Sequence, residues 1–189
     1  MNAMRLLTVF FLLGLAARAH AQDLKDDAIL TLAMPDRQFA SFLASTTMRT
    51  QTFKIALGSL GIDAGAKAYC PALVDALEKH LPTWRANLLS IYREHIPQAT
   101  LKDAVERGSL DGSRLLAPYM NAVGKDMQEK SLPILKEAAA EVLTTFFGAA
   151  SKTKASDEEK AAHLKELAEF NPRGFCARYA VPGISAGSR

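Results

Sequence analysis

Apolar residues recur at three- and four-residue spacing along nearly the whole chain, and this periodicity constrains the fold more than any other feature. Phe39, Phe42, Leu43, Thr46, Phe53, Leu57 and Leu60 share one helical face. Met34-Pro35 opens this predicted helix, and Gly58 and Gly61 end it. A second helix begins near Ala64, with Cys70, Leu73, Val74, Leu77 and Leu81 on its stripe. Pro82 suits the first turn of a third, whose stripe is Trp84, Leu88, Ile91, Tyr92 and His95 before Pro97 stops it. No segment of any length alternates in the way a half-buried strand requires. The expectation is an all-α, compact bundle of about six helices, without internal repeats or low-complexity linkers.

Gly108-Ser-Leu-Asp-Gly112 interrupts this pattern and reads as a corner rather than a functional hinge. Thr100-Leu-Lys-Asp103 resembles a capping box, starting a short helix that runs to Arg107. Gly108 supplies the left-handed residue that ends it. Ser109 is placed to cap the next helix, and Asp111 puts negative charge in its first turn. Gly112 lacks a Cβ and admits a close neighbour. A long helix follows, with Leu115, Tyr119, Val123, Met127, Ile134, Ala138, Val142 and Phe146 on its stripe. Pro133 should kink or split it, and Gly148 should close it. After the polar loop at 151–155, Ser156-Asp-Glu-Glu159 forms a capping box for a last helix to about Phe170, ended by Asn171-Pro172.

The N-terminus reads as an export signal. Arg5 precedes the apolar run Leu6 to Ala17, and Ala19-His20-Ala21 supplies the small-x-small cleavage pattern. The run is shorter than the roughly 20 residues of a membrane span. Cleavage after Ala21 is expected, with a periplasmic mature chain; an uncleaved anchor is the alternative. The predicted organisation is a signal peptide at 1–21, one helical domain at 22–176, and a partly disordered tail at 177–189.

Charge argues against a nucleic-acid partner. The full chain carries 23 basic and 20 acidic residues. Removing Arg5 and Arg18 with the leader leaves 21 against 20, and so near-neutral a chain has no electrostatic pull on phosphates. No integral membrane span is expected in the mature chain.

Cys70 and Cys176 are the two cysteines. In an oxidising compartment they are expected to pair, tying the C-terminal tail to the second helix. A loop this long corresponds to at most about 4–5 kcal/mol in the chain-entropy model. Two free thiols are the alternative reading, and neither cysteine has ligand spacing for a metal.

The order of Leu89-Ser-Ile-Tyr92-Arg-Glu-His95, a capped short helix, and Ser109-Leu-Asp-Gly112-Ser-Arg-Leu-Leu116 resembles the bacterial domain-of-unknown-function family numbered 2059. Its members are small, secreted and all-helical. Tyr92 matches the family's helix aromatic, and Ser109 and Gly112 match its Ser-Pro-x-Gly; Leu110 stands in place of the Pro, and Glu106-Arg107 in place of a frequent Phe-Tyr. The likeness covers roughly residues 26 to 145. It implies an all-α periplasmic fold and no particular reaction.

Catalytic constellations are sparse. Ser109 sits one place too early for a Gly-x-Ser-x-Gly elbow and follows no strand. His80, His95 and His163 form no His-x3-His or Glu-x-x-His pair, so neither metal nor cofactor is expected. Glu159 and His163 are four apart and read as a solvated link rather than ligands. Paired carboxylates at Asp26-Asp27 and Glu158-Glu159 lie at helix starts, where dipole effects explain them.

Trp84, Arg85, Tyr92, Arg93 and His95 form a candidate binding patch, since Trp, Tyr and Arg concentrate at interface hot spots; core packing of Trp84 and Tyr92 competes with that reading. The leading expectation is a soluble, non-catalytic helical binding protein. Its partner would be a cell-envelope protein or a secreted toxin, with a homo-oligomer open. One alternative is a small-molecule or lipid carrier using the apolar faces around Met120, Met127, Phe146 and Phe147, of which one phenylalanine should pack inward. Another is a hydrolase built around His95, Glu94 and Tyr92.

Overall fold

The structure, a computed structural model, describes residues 24–170, 175, 176 and 179. The leader, the Asn171-Pro172 stop and nearly all of the tail lie outside the described residues. Seven α-helices and one 3-10 turn (Ala117–Tyr119) account for most of the described chain, with no strand among the described residues. The helices are α1 (Asp26–Ala33), α2 (Pro35–Met48), α3 (Gln51–Leu60), α4 (Ile62–His95), α5 (Gln98–Leu116), α6 (Met120–Ser151) and α7 (Asp157–Ala168).

The spine is the antiparallel pair α4 and α6. Two apolar cores flank it. The larger joins Phe39, Leu43, Phe53, Leu57, Tyr69, Leu73 and Phe146 with the Cys70–Cys176 disulfide. The smaller gathers Ile29, Leu88, Ile91, Tyr92, Leu101 and Val123 at the other end. Met127 packs against both.

Several expected boundaries move. The stripe from Phe39 to Leu60 spans two helices, because Thr50 caps α3 by accepting the Phe53 N–H at 3.1 Å. α1 adds an unforeseen helix, whose Met34 turns left-handed at φ 49° and leads directly into Pro35. Residues before proline are pushed out of the right-handed helical region, so this reversal ends α1 where α2 begins. Cys70 therefore sits on the fourth helix in order, the one expected second.

α4 does not break at Pro82. It runs for 34 residues, about 50 Å, with Pro71 and Pro82 inside it. An interior proline costs about 3 kcal/mol, whereas fully burying one large apolar side chain gains about 1.5–3 kcal/mol. Leu81, Trp84 and Leu88 are all buried across that point, so packing against the neighbouring helices outweighs the lost bond. The same holds for α6, continuous through Pro133 and past Gly148 to Ser151. The long helix breaks earlier, at the 3-10 turn holding Pro118.

α5 starts at Gln98 behind Pro97, not at a Thr100 cap. Its two arms meet at Gly108, with φ 78° and ψ −177°. Gly112 is buried against the Ala104 backbone and Leu32, as a tight corner requires. Ser109 is exposed, and the Ser113 hydroxyl bonds the Leu110 carbonyl at 2.8 Å. The Ser156 capping box is formed in both directions, Glu159 N–H to Ser156 Oγ at 3.2 Å and Ser156 N–H to Glu159 Oε2 at 2.7 Å. No helix among the described residues is long and apolar enough to cross a membrane.

Candidate functional site

A polar seam runs along one edge of the α4–α6 contact. On α4 it is carried by His80, Asn87 and Glu94, spaced by seven residues, the repeat at which two packed helices keep facing one another. On α6 the facing residues descend from Glu141 through Ser131 and Lys130 to Asp126. Lys79 Nζ donates to Glu141 Oε1, and His80 Nε2 lies 3.1 Å from Glu141 Oε2. Asn87 Nδ2 donates to the Lys130 carbonyl and to Ser131 Oγ, both at 3.3 Å. Lys130 Nζ reaches Glu94 Oε2 at 3.1 Å, and His95 Nε2 lies 2.7 Å from Asp126 Oδ2.

These contacts shape the charges. The Lys79 hydrogen bond, aided by His80, holds the Glu141 carboxyl below the usual carboxylate range. The His95 hydrogen bond does the same for Asp126, with Lys130 and Lys125 adding to it. Two groupings with ligand atoms within 4.8 Å of one another result, His80 with Glu137 and Glu141, and Glu94 with His95 and Asp126. The His95 site thus has a carboxylate partner from α6, while Glu94 turns to Lys130.

The five residues of the sequence-derived patch divide between core and surface. Trp84 is buried in the larger core, stacked on Phe39 with ring centroids 4.8 Å apart. Tyr92 is buried in the smaller one, where desolvation raises its phenol pKa. The two arginines point outward into ion pairs. Arg85 holds Asp36 of α2 through a two-pronged contact, and the carboxylate raises the guanidinium pKa. Arg93 binds Asp26 and, at 3.1 Å, the Leu24 carbonyl, fastening the start of α1.

One residue of the shared apolar face of α2 lies at the surface. Phe42 is 52% exposed, 6.1 Å from the Trp84 ring between centroids. The Trp84 indole N–H beneath is buried without a hydrogen-bond partner among the described residues. The Phe39–Trp84–Phe42 ladder therefore reaches the surface at Phe42. The signal was present, since Phe42 lies on the α2 stripe, but periodicity does not tell which edge of a stripe is covered.

Phe146 is fully buried against Phe53 and Tyr69, whereas Phe147 is exposed. Glu159 and His163 do not form a link by hydrogen bond: the carboxylate serves the capping box, and His163 Nδ1 faces the Gly58 carbonyl at 3.2 Å. Comparison with models of known families, with curated proteins and with solved structures finds no match for the chain.

Proposed function

We propose that the protein is an exported helical binding protein of the bacterial periplasm that acts by docking a protein of the cell envelope. The observation that carries this reading is Phe42, half in water with its ring 6.1 Å from that of buried Trp84. An exposed aromatic ring on a buried aromatic base has the composition of an interface anchor. Export is supported by the basic and apolar leader with its small-x-small site and by the Cys70–Cys176 bridge, which suits an oxidising compartment.

The test is site-specific photocrosslinking in living cells. A photoreactive residue replaces Phe42 in one strain and the exposed Lys152 in another. A discrete heavier adduct at position 42 alone is expected. No adduct at position 42, or the same adducts from both positions, overturns the reading; an adduct with lipid mass favours the carrier instead.

A further inference from the structure

α6 presents Glu137 and Glu141 one turn apart, so both carboxylates leave the helix on the side facing α4. Opposite them α4 supplies His80, whose side chain is only 8% exposed. The two oxygens of Glu141 have separate partners. Oε1 takes the Lys79 ammonium, and Oε2 lies 3.1 Å from His80 Nε2. Glu137 brings a second carboxylate oxygen to within 4.8 Å of a ring nitrogen of His80 and a carboxylate oxygen of Glu141. Two carboxylates beside one ammonium leave a net negative charge facing a ring nitrogen.

We propose that His80, Glu137 and Glu141 form a zinc site bridging α4 and α6. One imidazole nitrogen and two carboxylate oxygens are donors that zinc accepts, and three protein ligands leave a fourth position for water. Bonds of about 2.0–2.2 Å require the three atoms to draw together. Glu137 is exposed and makes that movement by changing rotamer, while buried His80 stays in place. Lys79, on the outer oxygen of Glu141, orients that ligand as partners behind metal ligands do.

The Glu94–His95–Asp126 grouping is the weaker host. Its histidine side chain is 26% exposed, against 8% for His80, and is less firmly held in place. Glu94 and His95 are also sequence neighbours, and neighbours on a helix do not face each other.

This inference is independent of the docking reading and is tested without a partner. Zinc is titrated calorimetrically into the chelator-treated protein, with cobalt absorption as a second readout of the ligand set. One equivalent of zinc is expected. Glu137→Gln, a surface change, should weaken binding by tenfold or more, His80→Gln should abolish it, and His95→Gln should leave it unchanged. Lys79→Ala should weaken it by about tenfold. No uptake by the parent protein, uptake indifferent to Glu137→Gln, or uptake lost on His95→Gln instead overturns the assignment.

Discussion

Gly112 packs so closely on Ala104 that a Cβ built on it would stand 2.2 Å from the Ala104 carbonyl oxygen. The obstacle is backbone, so it has no side-chain rotamer to escape through. Gly112→Ala should destabilise the protein by on the order of 3 kcal/mol, read as a lowered denaturant midpoint. Gly108→Ala faces open space but keeps a backbone conformation that is essentially glycine-only, so it should cost about 1–3 kcal/mol. A functional hinge predicts otherwise, with stability unchanged and only activity affected.

Gly148 gives the opposite sign. It lies inside α6 with nothing within 4 Å of an added Cβ. Gly148→Ala should therefore stabilise by about 0.5–1 kcal/mol through the reduced entropy cost of an interior helical position. A helix that ended there would lose stability on the same change. Thermal unfolding of the one variant distinguishes the two.

Tyr69 is fully buried, and its hydroxyl meets Thr47 Oγ1. Thr47 already donates to the Leu43 carbonyl at 2.8 Å, so Tyr69 is the donor. Burial pushes its phenol pKa up to about 12. A raised folded pKa means that stability is intact below the unfolded value of about 10 and is lost as pH climbs towards the folded one. Tyr69→Phe should cost about 1–2 kcal/mol near neutrality and remove part of the alkaline decline. Equal alkaline slopes in parent and variant would refute this assignment.

Acid should act on the α4–α6 seam. Glu141 and Asp126 are held below the ordinary carboxylate range. Their contribution is present above the unfolded value of about 4 and disappears as pH falls through the lowered folded values. Glu141→Gln should flatten the stability profile at acid pH, and added salt should shrink the difference because both carboxylates are partly exposed. Urea midpoints across the acid range check this, and a profile unchanged by Glu141→Gln would refute it.

Helix ends written in local chemistry were legible from the chain alone. Gly61 and Gly108 punctuate where expected, and Ser156 with Glu159 forms its box, because capping joins atoms within one turn of helix. The all-helical class follows from apolar spacing, and the Cys70–Cys176 bond from there being two cysteines. Tertiary packing decided the rest. α1 has eight residues, too short to announce itself before it docks on α5. Pro82 and Pro133 lie inside continuous helices because distant residues bury the stripes beside them. His80 meets Glu141, and His95 meets Asp126, through the antiparallel register of helices far apart in sequence. Local sequence determines that the segments are helical and sets the ends at Gly61, Gly108 and Ser156, since those energies act over a few residues. Which polar groups converge depends on how two long apolar stripes settle against each other, and only the folded molecule decides that.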